Sequence, residues 1–204
     1  MKTDDLFHEY LQLAPYALFE LLQITPGCAY RFSSPVVKAS ERRMDGLLEP
    51  VEPGHPHYFV EVQGYRDEVI YWRVLHQVGL YHGQRPGLNG SAWQAVVLFL
   101  DPAYDPGPET LGPLFHGDMP WLVKGIVPAL LQRVSKPSPV LNVLRPLIAQ
   151  DESEVRQKAA GWVQEIRHLA SLDQAGQERL LTLLVQFILQ KFSHKVGRLD
   201  GCWN

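Results

Sequence analysis

The sequence has little cysteine and no long apolar run, and these shortages limit where the protein can act. Its 204 residues include two cysteines, Cys28 and Cys202, and a chain of this length needs no disulfide framework to stabilise its core. The most apolar stretch, residues 180–192, falls short of the roughly 20 apolar residues that a membrane span needs. The N-terminal segment is acidic and amphipathic, unlike a signal peptide. We therefore expect a cytoplasmic protein with reduced thiols and no membrane span.

An excess of positive charge is also missing. The chain carries 19 Lys and Arg residues against 22 Asp and Glu residues, a formal net charge of −3, so any DNA binding must use a local basic patch. The Gly-rich motifs of nucleotide hydrolases and dinucleotide-binding proteins and the serine-esterase motif do not occur. No histidines and cysteines stand at zinc-site spacing. Nucleotide hydrolysis, dinucleotide binding, serine-esterase chemistry and a zinc site therefore have no support in the sequence.

What is present is the composition of a globular protein with substantial loops, 46% hydrophobic with 16 Gly and 16 Pro. The apolar pattern predicts two short N-terminal helices and then strands over 35–39, 43–48 and 58–63, the first two forming a hairpin that turns at 40–42. A helix over 66–84 and a buried strand over 95–100 follow, which predicts a strand–helix–strand crossover. A Pro- and Gly-rich loop over 101–120 and a short strand over 121–127 complete an α/β core.

The last third of the chain is predicted to be helical, with helices over 141–148, 151–169 and 173–192. The last helix is apolar nearly all round, which indicates a helix buried by neighbours or by a partner. We expect Leu184, Phe187 and Ile188 to be buried against the sheet or against a second copy of the chain. We divide the chain into a core over 1–128 and a helical extension over 129–204, together one structural domain.

Two acidic residues on neighbouring predicted strands form the candidate site. Glu61 and Gln63 share one face of their strand because side chains alternate, and Asp45 lies on the preceding strand, from which it can face Glu61. Two close carboxylates repel unless a cation lies between them, and Mg²⁺ or Mn²⁺ prefers oxygen ligands. Asp45, Glu61 and the carbonyl of Val62 therefore predict a metal site. Spacing alone leaves open that these are solvated residues at a sheet edge.

Further residues near these strands are candidates for supporting roles. Glu20, on the second helix, is expected to reach the same edge and orient a metal-bound water, and Lys38, on the strand paired with that of Asp45, offers a cation. Basic residues close in sequence are candidates for contacts with DNA phosphates. They are Arg42, Arg43, Arg66 and Arg73.

Three stretches of the chain resemble one nuclease family. They read MKTDDLFHEYLQLAPYALFELL at the start, YRFSSPVVKASERRMDGLLEP over 30–50 and HYFVEVQGYRDEVIYWRVLHQVGLY over 57–81. Together they are similar to the recombination-promoting nuclease and transposase-like family, a branch of the PD-(D/E)XK nuclease superfamily. The most specific parts are the RxDG strand that ends in LxxP and the YFVEVQ strand after it. The resemblance covers residues 1 to about 100 and the helical C-terminus in outline.

The resemblance implies a restriction-endonuclease-like fold, a mixed sheet flanked by helices, and Mg²⁺-dependent cleavage of DNA. It makes Asp45 and Glu61 the acidic residues of the motif and Glu20 the acidic residue of the leading helix. Gln63 stands where the superfamily has a lysine, so it cannot supply that positive charge. The QxxxY spacing of Gln77 and Tyr81 is one that some of these nucleases use near DNA.

Three functional interpretations follow. The first is a metal-dependent DNA endonuclease, linked to recombination, mobile elements or defence. The second is a nuclease-fold protein without activity, a DNA-binding or assembly module in which Gln63 signals lost catalysis. The third is an oligomerisation protein, with a homodimer built on the apolar last helix.

Overall fold

The computed structural model describes residues 3–35, 44–88, 90–112 and 119–196. The chain divides into two compact units, Met1–Val127 and Pro128–Asn204. Within the described parts of the chain, no helix combines the length and the hydropathy needed to cross a membrane.

The N-terminal unit is an α/β fold around a mixed sheet. Its described strands are β1 (Tyr30–Ser33), β2 (Gly46–Pro50), β3 (His57–Gln63), β4 (Trp93–Phe99) and β5 (Leu122–Ile126), and they lie side by side in that order. β1, β2 and β3 pair antiparallel, whereas β3, β4 and β5 pair parallel. The predicted crossover is confirmed, because the helix after β3 returns the chain to a parallel neighbour. β3 is buried along its whole length.

Helices cover both faces of this sheet. Helices α1 (Thr3–Leu13) and α2 (Ala17–Leu22) pack on the face to which Tyr58 points, where Phe19 meets the Tyr58 ring at 5.1 Å between centroids. Helix α3 (Ile70–Gly83) packs on the opposite face, against Phe59 and its neighbours. The buried stripe of α3 consists of Ile70, Tyr71, Val74, Gln77, Val78 and Tyr81.

The first strand differs from the prediction. The predicted strand over 35–39 and the turn over 40–42 fall almost wholly outside the described residues, and Pro35 itself is not in a strand. The strand that pairs with β2 is β1, with Tyr30 opposite Pro50 and Ser33 opposite Leu47. Burial explains the difference, because the Tyr30 ring packs against Phe19 and Tyr58. The local sequence pattern does not show this contact, because its residues are far apart in the chain.

The carboxylate of Asp105 ties the Pro- and Gly-rich loop after β4 to two neighbouring elements. Asp105 accepts hydrogen bonds from the Tyr71 hydroxyl at 2.6 Å, from Nζ of Lys124 at 2.8 Å and from the Gly107 amide at 2.9 Å. Burial alone would raise the pKa of Asp105, but the hydrogen bonds from Lys124, Tyr71 and Gly107 outweigh it and lower that pKa. Asp105 thus joins the loop to α3 and β5.

The C-terminal unit is helical, as predicted. Its elements are α4 (Val127–Arg133), which begins at the unit boundary, a 3₁₀ segment (Pro139–Ile148), α5 (Glu152–Arg167) and α6 (Gln174–Val196). Asp151 caps α5, its side chain accepting a hydrogen bond from the Glu154 amide at 2.9 Å. Within this unit, α6 packs on the 3₁₀ segment and on α5, so these elements cover the side on which Leu184 and Phe187 are buried. Ile188 is partly buried there.

The Asp105 contacts generate a stability prediction. Asp105→Ala removes a charged acceptor of several hydrogen bonds, so we expect the free energy of unfolding to fall by roughly 2–4 kcal/mol at pH 7. Because the fold lowers the pKa of Asp105, its contribution is present above the unfolded pKa of about 3.9 and is lost as pH falls through the folded pKa. Urea unfolding at neutral and acidic pH measures this. A deficit that persists unchanged in strong acid would contradict the electrostatic explanation.

The packing of α6 generates a second prediction. Phe187 is fully buried, whereas Val185, on the same helix, is 52% exposed. Phe187→Ala should cost about 3–5 kcal/mol of unfolding free energy because it opens a cavity, and Val185→Ala should cost less than about 0.5 kcal/mol. Chemical denaturation of both variants tests this. Equal losses would show that the exposed side of α6 is covered in solution.

Candidate functional site

Asp45 occupies the turn residue immediately before β2. In the antiparallel register Gly46 lies opposite Val60, so one residue further out Asp45 lies opposite Glu61. Asp45 Oδ2 accepts a hydrogen bond from the Val62 amide at 2.9 Å. From α1, Nδ1 of His8 donates to the Asp45 carbonyl at 2.7 Å. Asp45 is therefore held by β3 through its carboxylate and by α1 through its backbone carbonyl.

Gly46, the residue after Asp45, leaves room for the ring of Phe32. A Cβ atom at this position would lie 2.7 Å from that ring and 3.6 Å from Cβ of Val60. The first distance is far inside van der Waals contact, so the Phe32 ring would have to move to admit a side chain at position 46.

Glu61 and Gln63 are core residues. Their relative exposures are 6% and 2%, and both point toward α3, on the same face as Phe59. The interpretation that they are solvated edge residues is therefore wrong. A buried charge requires a partner, and Glu61 has one in α3.

That partner is Arg73. Its Nη2 donates to Glu61 Oε1 at 2.8 Å, and its Nη1 donates to Asp67 in the turn before α3. The Arg73 side chain is 14% exposed. Burial alone would lower the pKa of Arg73, but the charges of Glu61 and Asp67 outweigh it and raise that pKa. The candidate metal ligand Glu61 therefore already has a positive charge beside it.

The donor atoms of the site suit a hard cation. Asp45 and Glu61 bring carboxylate oxygens, and the Val62 carbonyl points to the same strand edge as the Val62 amide that meets Asp45. This carbonyl accepts a hydrogen bond from Nε2 of Gln63 at 3.2 Å, while Oε1 of Gln63 is buried without a hydrogen-bond partner in the described structure. Oxygen donors and an unsatisfied buried oxygen fit Mg²⁺ or Mn²⁺.

Other predicted site residues lie elsewhere or cannot be placed. Glu20 lies on α2, near enough to Tyr10 for its charge to add to the effect of burial in raising the pKa of that phenol. Among the described residues no three His, Cys, Asp or Glu side chains are grouped to hold a metal ion, so Glu20 does not complete a ligand triad with Asp45 and Glu61. Lys38, Arg42 and Arg43 lie outside the described residues.

The predicted DNA contacts on α3 are corrected by burial. Gln77 is 5% exposed and Tyr81 is 1% exposed, because the QxxxY pair lies on the stripe that faces the sheet. The Tyr81 hydroxyl donates to Glu49 at 2.9 Å. Neither side chain is placed to contact DNA.

Of the two predicted arginines that the structure describes, only Arg66 is exposed. It forms an ion pair with Glu68 at 2.5 Å and donates to the Ala103 carbonyl. Arg73 is committed to the buried ion pair instead of to the surface. Its role was missed in the sequence although one signal was available. Arg73 stands three residues after Ile70 and four before Gln77, at the border of the buried stripe.

Comparison with known proteins places the chain in a family. A family described as "Protein of unknown function (DUF2887)" matches residues 3–198, which is nearly the whole chain. The chain belongs to the DUF2887 family. No curated protein and no solved structure matches it. The description of DUF2887 names no activity.

The position of Tyr81 generates a third prediction. Burial and the hydrogen bond to Glu49 raise the pKa of Tyr81 to about 12. Tyr81→Phe should therefore lose about 1–2 kcal/mol of unfolding free energy at pH 8. Because the folded pKa exceeds the unfolded one, the contribution of Tyr81 is present below about pH 10 and is lost as pH rises toward 12. Urea unfolding at pH 8 and pH 11 should show the gap between wild type and variant closing. A fully stable variant with weakened DNA binding would restore the predicted DNA role.

Proposed function

We propose that the protein is a metal-dependent DNA endonuclease with a PD-(D/E)XK-like site. The observation that carries the proposal is the hydrogen bond from the Val62 amide to Asp45. It ties Asp45, the residue just before β2, to the strand that bears Glu61 and Gln63, and this supports a site in which the carboxylates of Asp45 and Glu61 and the Val62 carbonyl share one ion. These oxygen donors, on strands in this order, agree with the resemblance of the sequence to PD-(D/E)XK nucleases.

In this proposal Asp45, Glu61 and the Val62 carbonyl hold Mg²⁺ or Mn²⁺. A bound ion would supply an activated water and stabilise the charge that develops on the phosphate. Gln63 orients the Val62 carbonyl through its Nε2 hydrogen bond. Because Gln63 carries no charge, Arg73 is the cation that the described structure places beside Glu61. Of the two described arginines that are candidates for contacts with DNA phosphates, Arg66 is the exposed one.

A second candidate function is an inactive DNA-binding or assembly module on the same fold. The ion pair of Arg73 with Glu61 and Asp67 favours it, because a buried carboxylate that already has a counter-ion can be purely structural. The two candidates differ in one measurement. A native-state ligand raises the melting temperature, so Mg²⁺ should stabilise a nuclease and leave a structural module unchanged. The DNA substrate, a homodimeric state and a cytoplasmic location stay predictions.

Asp45 provides the direct test. Asp45→Asn keeps an oxygen that can accept the Val62 hydrogen bond but removes a negative charge from the metal site. We expect nicking of plasmid DNA with Mg²⁺ or Mn²⁺ to fall at least about a hundredfold, which corresponds to roughly 2.7 kcal/mol of lost transition-state stabilisation. The melting temperature without metal should stay close to that of the wild type, because Arg73 already offsets the charge of Glu61.

The matched control is Asp5→Asn, which removes the same charge from an exposed position on α1. This control should nick DNA at the wild-type rate. Nicking by Asp45→Asn that equals the control would defeat the proposed site. Wild-type protein that neither nicks DNA nor melts higher with Mg²⁺ would favour the inactive module.

A further inference from the structure

Arg73 connects helix α3 to strand β3 and to the turn that precedes the helix. It projects from the first turn of α3, and its guanidinium binds Glu61 on β3 at 2.8 Å and Asp67 in the preceding turn. Asp67 is itself fixed, because its Oδ1 accepts a hydrogen bond from the Val69 amide at 3.0 Å. The guanidinium is thus held on one side by a turn carboxylate and on the other by the candidate metal ligand.

The two carboxylates that bind Arg73, those of Glu61 and Asp67, differ in burial. Glu61 is the more deeply buried, with a side-chain exposure of 8% against 15% for Asp67. A buried carboxylate is costly without a positive charge beside it, so the fold needs Arg73 at Glu61 whenever no other cation is present. Any metal ion that binds Glu61 meets a position already supplied with positive charge.

We propose that Arg73 is an internal counter-ion that competes with the metal, so that Glu61 exchanges its partner from the guanidinium to the ion when the site is loaded. This inference rests on the proposed metal site. Asp67 retains the guanidinium during the exchange and prevents its release to solvent. The metal-free protein stays folded with an acidic residue in its core, at the cost of a weaker metal affinity.

Two opposite effects follow from removing Arg73. The metal-free protein should be less stable, because Glu61 and Asp67 lose their shared counter-charge. Metal should bind more tightly, because Arg73 no longer competes for Glu61. A residue with a purely structural role would lower stability without raising metal affinity.

The experiment compares Mg²⁺ and Mn²⁺ binding by calorimetry in wild type, Arg73→Gln and Arg66→Gln. Arg66→Gln is the matched control, because it removes the same charge seven positions earlier from an arginine that pairs with Glu68 and not with Glu61. We expect Arg73→Gln to bind at least about tenfold more tightly than wild type. Arg66→Gln should stay within about twofold of wild type, as expected for a screened surface charge. Melting without metal should be lowered mainly in Arg73→Gln.

A wild-type measurement covers the case in which Arg73→Gln does not fold. The guanidinium Nε–H resonance of Arg73, followed by NMR, should shift with added Mg²⁺ and saturate with the binding isotherm. It should not move in Asp45→Asn, which lacks a metal ligand. An Arg73 resonance unaffected by saturating Mg²⁺ in the wild type would overturn the exchange.

The outcomes separate this inference from the proposed nuclease activity. Equal metal affinity in wild type and Arg73→Gln overturns the exchange but leaves metal-dependent cleavage standing. Suppose that Arg73→Gln binds the metal more tightly and that neither the wild type nor any variant nicks DNA. This result supports the exchange and overturns cleavage. Failure of both proteins to bind either metal overturns both.

Discussion

A carboxylate buried in the middle of a sheet requires a counter-charge, and much of the N-terminal unit is arranged around that requirement. β3 is buried along its length, so Glu61 cannot be solvated and must be paired. Arg73 meets it from α3, and Asp67 holds Arg73 from the turn that starts the helix. The ion pair therefore links the strand, the turn and the helix.

A second acidic residue, Asp45, lies beside the strand that bears Glu61. Asp45 stands just before β2, and the Val62 amide donates a hydrogen bond to its carboxylate. The carboxylate of Glu61, in contrast, is held by the Arg73 guanidinium. Such placement suits a hard cation, which needs oxygen atoms held in position.

Local patterns failed where long-range contacts decide which face of an element is buried. On α3 the apolar residue Trp72 is about half exposed, while Gln77 and Tyr81 are buried, because the stripe that contains Ile70 and Val74 packs on the sheet. The spacing of QxxxY does not reveal which side of the helix meets β3. Likewise, Tyr30 to Ser33 form the first strand because Tyr30 joins the aromatic residues of α2 and β3.

The sequence by itself determined the alternation of strands and helices, the parallel crossover through α3, the helical C-terminal unit and the adjacency of Asp45 to the Glu61 strand. These follow from short-range periodicity, which the backbone geometry of strands and helices imposes. Only the tertiary structure decided that Glu61 is buried, that Arg73 is its counter-ion and that Asp105 anchors the loop after β4. The physical reason is that desolvation and ion pairing depend on groups far apart in the chain, and their energies exist only once the sheet and α3 enclose them.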